Sequence, residues 1–181
     1  MIFGDPINFA ILMKYIPQWN QNGSYKNGMF HFIIDSAIFP EVAGVATLGG
    51  DVKCVKSDNA LVKPVDDSKL FHMDAKNAFL LMLEGMLPAR LGVEVDEGFV
   101  EDYRFHASSN NLEEFGCFVF AVGYKNKIRI LGANLNCLRS EGDSIAGLEL
   151  VKVSEVIVDK EQIAEIISDV VKEYESAREI W

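Results

Sequence analysis

Three cysteines (Cys54, Cys117, Cys137) and three histidines (His31, His72, His106) are the side chains best suited to covalent or acid–base chemistry in this 181-residue chain. A thiol beside an imidazole would form a thiolate nucleophile and its base. No motif pairs them. Cys117 lies inside the apolar run 115–120 and Cys137 at the end of the next one, where cysteine serves as a small core residue. His72 and His106 lack the H-E-x-x-H or C-x-x-C context of a zinc site. The stretch 44–50, GVATLGG, has neither the Lys-Ser/Thr of a P-loop nor the G-x-G-x-x-G spacing of a dinucleotide fold. Carboxylates adjacent in sequence, at Asp66-Asp67, Asp96-Glu97 and Glu113-Glu114, carry no implication of two acids opposed across a substrate and read as solvated charge. No cofactor and no metal is implied.

One run has a different character. Glu94, Asp96, Glu97, Glu101 and Asp102 place five carboxylates within nine residues with no base among them, and Glu113 and Glu114 follow. Such a run is either a solvated connector or an acidic docking patch. Phe99 and Val100, embedded in it, would supply the apolar anchor that interfaces place at their centre. Trp19 and Tyr25 stand beside Asn20, Asn22 and Asn27, a composition that suits a binding surface and a core plug equally.

The charge balance narrows the partners. Seventeen basic residues against 27 acidic ones give a net charge of −10 and a pI near 4.7, the wrong sign for phosphate backbones or anionic headgroups. Nucleic acid and membrane are therefore not expected as partners. No run of 18 apolar residues exists, the start has no basic n-region, and an odd number of cysteines without C-x-x-C spacing fits a reducing compartment. The chain is expected to be cytoplasmic. With 49% hydrophobic and 24% charged residues, it has the composition of a globular protein and the length of one domain, 1–181.

Hydrophobic periodicity sets the elements that must position these residues. Segment 9–16 reads as a buried strand ended by Pro17, and 29–34 with 37–39 as a hairpin turning at Asp35-Ser36. A further strand is expected near 45–55, with Gly49-Gly50 as a bulge. From 68 to 87, Phe71, Ala75, Phe79, Met82 and Met86 repeat at helical spacing, with Asp67, Ser68 or Asp74 as the cap and Pro88 as the stop. Segment 102–107 reads as a strand. The hairpin 115–124 with 127–136 turns at Lys125-Asn126 and is expected to keep one face partly wet. A last strand over 148–158 leads into a C-terminal helix capped at Asp159, with Gln162 in capping-box position and Ile163, Ile166, Ile167, Val170, Val171 and Tyr174 on its buried face. The expected class is α+β: a mostly antiparallel sheet of about six to seven strands, with one central and one C-terminal helix packed on a sheet face.

The opening residues Ile2-Phe3-Gly4-Asp5-Pro6-Ile7-Asn8-Phe9-Ala10-Ile11, then Trp19-Asn20, then Tyr25 through Gly28 (YKNG) and Phe30-His31-Phe32-Ile33-Ile34-Asp35, resemble a family of immunity proteins from bacterial polymorphic toxin systems. The motif match covers the first 40 or so residues, and the strand and helix of 153–174 resemble that family's C-terminal end in pattern. The resemblance implies a non-enzymatic inhibitor that binds and blocks a cognate toxin domain. The acidic residues would steer it toward a basic partner, such as a nuclease toxin. Toxin contacts are then expected from Glu94, Asp96, Glu97, Phe99, Glu101, Asp102, Glu113, Glu114, Trp19 and Tyr25. The alternatives are an acidic regulatory adaptor for another basic protein and an enzyme with an unrecognised thiol or carboxylate site.

Overall fold

The structure, a computed structural model, describes residues 1–20, 25–141 and 144–176. Strands β1 (Ile2–Gly4), β2 (Phe9–Tyr15), β3 (Asn27–Ile34) and β4 (Ala37–Phe39) form an antiparallel sheet in that order, and β5 (Ala46–Thr47) pairs with the start of β3. Period-two alternation decides which face is inner. Phe9, Ile11 and Met13 lie opposite Ile34, Phe32 and Phe30, and all six are buried in one core. The β3–β4 turn is as tight as expected, with Asp35 at φ 50° and Ser36 at φ 65°, the pair of positive values that a two-residue primed turn needs.

A second sheet runs β10 (Val153–Asp159), β7 (Lys127–Asn134), β6 (Cys117–Tyr124), all antiparallel, and β8 (Arg139–Glu141) pairs with β9 (Ser144–Ala146) as a separate hairpin. The two main sheets face each other directly. A methyl group on Gly132 of β7 would lie 2.6 Å from Cδ1 of Ile34, so a larger residue here would push the Ile34 side chain aside. Helices α1 (Leu48–Lys56) and α5 (Lys160–Ser176) complete that core with Leu48, Val52 and Val55 and with Ile163, Ile167 and Val170. On the far face of the second sheet, Phe118, Phe120, Leu131 and Ala133 pack against α2 (Ser68–His72) and α3 (Ala75–Met86), with Phe79 edge-on to Phe120.

The class is α+β with antiparallel sheets, and helices cover sheet faces as expected, but several elements differ. The strand expected near 45–55 is two residues of β5 followed by a helix: Leu48, Val52 and Val55 are spaced for a helix face, which the two glycines had obscured. The helix expected over 68–87 is two helices. Asp67 caps the first by accepting from Lys69 and Leu70 N–H, and Asp74 caps the second by accepting from Asn77 N–H. Segment 102–107 is not a strand; it contributes only an isolated bridge between His106 and Phe120. The β6–β7 hairpin turns where expected, with Lys125 at φ 54°, but its face is wet only at the Lys127 end, because α2 and α3 bury Arg129 and Leu131. The final strand begins only at Val153, after a 3₁₀ turn over Leu148–Leu150. At α5 the backbone N–H of Asp159 donates to Gln162 Oε1 at 3.2 Å, one half of the expected box.

Candidate functional site

Helix α3 stops at Met86, a 3₁₀ turn over Pro88–Leu91 follows, and Gly92 reverses the chain at φ 68°. Segment 93–104 then runs without regular secondary structure and is held at a few points. Phe99 N–H donates to Asp96 O at 2.9 Å, and Asp102 N–H donates to Gly85 O of α3 at 2.8 Å. The Asp102 carboxylate accepts from the Arg104 backbone N–H (3.0 Å), Nε (2.9 Å) and Nη2 (2.7 Å). Arg104 thereby holds the Asp102 carboxyl below the usual carboxylate range. Between these anchors Glu94, Asp96, Glu97 and Glu101 are exposed, and they alternate with exposed apolar groups: Val95, Phe99 (40%), Val100 (83%) and Tyr103 (49%).

A short chain of contacts extends this surface. Tyr103 Oη donates to Glu101 Oε2 at 2.8 Å, and this bond to a carboxylate raises the phenol above its ordinary pKa. The Tyr103 ring stands edge-on to His106 with centroids 5.9 Å apart, and His106 Nε2 pairs with Glu113 Oε1. Glu113 and the exposed Glu114 belong to helix α4 (Asn110–Glu114), an element that hydrophobic periodicity does not signal. Two buried groups fix α4 in place. Asp51 of α1 accepts the Asn111 backbone N–H at 2.8 Å, and Asn111 Nδ2 donates to Phe30 O at 2.8 Å.

Trp19 and Tyr25 sit elsewhere, at the connection between β2 and β3. Of the asparagines beside them, Asn20 and Asn27 are structural, and Asn22 lies outside the described residues. Asn20 Nδ2 donates to Ile16 O (2.6 Å) and Asn27 O (3.0 Å), Asn20 Oδ1 accepts from Asn27 N–H (2.6 Å), and Asn27 Nδ2 reaches Trp19 O (3.1 Å). Trp19 is 37% exposed and Tyr25 71%, so neither plugs the core. Six of the ten residues expected to touch a partner thus lie on segment 93–104, two on the β2–β3 connection and two on α4, where Glu114 is exposed and Glu113 is engaged by His106. Tyr103, His106 and Arg104 were missed; no spacing signalled them, because their roles depend on how an irregular segment folds back on α3 and α4.

The thiols have no imidazole partner. Cys54 Sγ donates to Asn110 Oδ1 at 3.3 Å, Cys117 Sγ to Phe115 O at 3.8 Å, and Cys137 Sγ to Asn134 O at 4.0 Å. Burial, with Glu41 nearby, pushes the Cys117 thiol up to about 11, and burial also raises Cys54. His31 Nδ1 faces Pro40 O at 2.9 Å, and His72 packs against the Phe71 and Tyr124 rings. Among the described residues, no group of three or more His, Cys, Asp or Glu gathers to hold a metal ion, and no helix is long and apolar enough to cross a membrane.

Two faced antiparallel sheets flanked by helices, with an acidic and apolar segment exposed outside the core, define an α+β protein. The chain belongs to the Immunity protein 42 family, whose model matches residues 1–173, and it is accordingly an immunity protein that neutralises a toxin. The fold is similar to that in the crystal structure of CdiI from Burkholderia dolosa AUO158, with a TM-score of 0.71 and 19% sequence identity over 96% of this chain and 99% of that one. No curated protein matches the sequence.

Proposed function

We propose that this immunity protein acts without catalysis, in the cytoplasm, by binding its cognate toxin domain directly through segment 93–104 and the adjoining end of α4. The observation that carries this reading is the interleaving of exposed carboxylates at Glu94, Asp96, Glu97 and Glu101 with exposed Phe99, Val100 and Tyr103 on a segment pinned at both ends. Carboxylates of this kind accelerate encounter with a basic partner, while aromatic anchors lengthen the life of the complex. Asp102 serves to position the segment, since its carboxylate is taken by Arg104. Glu114 belongs to the contact face, Glu113 holds His106 at its edge, and Trp19 and Tyr25 provide a separate contact.

A basic toxin is the complement to a chain of net charge −10, and a nuclease is basic because it must grip phosphates. The test is to co-express the chain with a candidate cognate toxin domain and to measure survival and co-purification. Rescue together with a stable complex supports direct binding; rescue without a complex overturns it. An association rate that does not change with salt overturns the electrostatic part.

A further inference from the structure

Helix α5 presents a second face that the toxin-binding reading does not use. Lys160, Ala164, Ile167, Ser168, Val171 and Lys172 line one wall of a groove, a set spaced along about 18 Å of helix. The facing wall is Lys56 at the end of α1 and the connector after it, with Leu61, Val62 and Pro64. The groove has a volume of about 400 Å³, inside the range of roughly 300–1,000 Å³ in which proteins hold small molecules. Its floor is apolar: Leu61 and Ile167 are nearly buried, whereas Val62 is 41% exposed and Ala164 is exposed.

The two ends differ. At one end Lys160 Nζ pairs with Asp66 Oδ1 at 2.7 Å, directly over Gly123, where a Cβ would meet that carboxylate oxygen. At the other end stand Lys56 and Lys172, with looser and more exposed pairs, 3.4 Å to Glu175 and 3.1 Å to Asp169. Surface pairs of that kind contribute little to stability, so a ligand carboxylate can replace either acid at small cost.

We infer that this groove binds a small amphipathic carboxylate, with its anionic head between Lys56 and Lys172 and its hydrocarbon body along Leu61, Val62, Pro64, Ala164, Ile167 and Val171. The site shares no residue with segment 93–104, so it stands or falls apart from toxin binding. Volume favours a medium-chain molecule over a protein segment, and the ammonium pair of Lys56 and Lys172 favours an acid over a neutral amphiphile.

The experiment is calorimetric titration of the full chain with sodium dodecanoate below its micelle concentration, and with dodecanol as the neutral control. Saturable one-to-one binding of dodecanoate, roughly tenfold tighter than dodecanol, is expected. Ala164→Phe, which fills the groove from an exposed helix position, should weaken binding by roughly tenfold or more, as should Lys56→Gln combined with Lys172→Gln. Melting curves confirm that each variant is folded, and the lysine pair, being on the surface, keeps the test usable if Ala164→Phe is not. Absence of saturable binding, equal affinity for dodecanol, or unchanged affinity in the lysine variant overturns the inference.

Discussion

The carboxylate of Asp51 accepts the backbone N–H of Asn111 at 2.8 Å, sixty residues away in sequence and inside the protein. Asp51 is 1% exposed, and burial raises its pKa above the ordinary carboxylate value, against the opposing bond from the Asn111 N–H. A carboxyl whose folded pKa is raised favours the folded state while it is protonated. That contribution is full below the unfolded pKa and is lost as pH rises through the folded one. Asp51→Asn keeps an acceptor for Asn111 and never ionises, so it should melt higher than the native chain at pH 7.5, with the gap closing by pH 4. Asp51→Leu removes the acceptor and should cost about 1–3 kcal/mol at pH 4. A native chain that outlasts Asp51→Asn at pH 7.5 would show that the charged form is the one the fold favours.

Arg129 makes another long-range polar tie in the interior. Its side chain is 3% exposed, with Nε on Glu155 Oε1 at 2.6 Å and Nη1 on the carbonyls of Leu70 (2.7 Å) and Phe71 (3.2 Å). It therefore fastens the last turn of α2 to the second sheet. Replacement by Met leaves two carbonyls without their donor and should cost roughly 3 kcal/mol in urea denaturation. Glu155→Gln should cost less, because Glu155 is 35% exposed and the amide still offers an acceptor. Equal costs would mean that the ion pair, and not the link to α2, is what matters at this position.

Elements with an uninterrupted period were legible in the sequence, and those whose conformation is set by distant partners were not. The alternation through β2, β3, β6 and β7 and the 3.6 period of α5 match the structure within a few residues. Helix α1 escaped because Gly49 and Gly50 are poor helix formers, yet Val52 and Val55 gain enough by burial to hold them. The break between α2 and α3 was signalled by two capping aspartates that compete for one role in sequence, and each in fact caps its own helix. Helix α4 has five residues and a single apolar one, Leu112; it exists because Asp51 and Phe30 engage Asn111. For the same reason the acidic run was visible as charge, while the roles of Tyr103, Arg104 and His106 around it were not.

Cys117 and Cys54 should react poorly in the folded protein. Cys117 is buried with its pKa at about 11, and Cys54 is half-buried with its pKa raised by burial. Because the thiolate is the reactive form, iodoacetamide at pH 8 should leave Cys117 unmodified until the chain is unfolded and label Cys54 slowly, as followed by mass spectrometry. Rapid single-site labelling of the native chain would revive a thiol-based activity.

The acidic segment should separate into charges that steer and a charge that positions. Asp102 is held by Arg104 with its pKa lowered, chiefly by that hydrogen bond, so it adds little field beyond its partner. Asp102→Asn should therefore change the toxin association rate by less than about twofold, whereas Asp96→Lys, Glu97→Lys and Glu101→Lys together should slow it on the order of tenfold at low salt. The contrast should fade at 0.5 M salt, roughly where the screening length falls well below 10 Å. Phe99→Ala should act on dissociation instead, since an apolar anchor contributes after encounter and not before it. Stopped-flow association and surface-based dissociation measurements on the same variants read the two effects independently. If the triple reversal leaves association unchanged, segment 93–104 is not the face that meets the toxin, and Trp19 with Tyr25 becomes the first alternative to mutate.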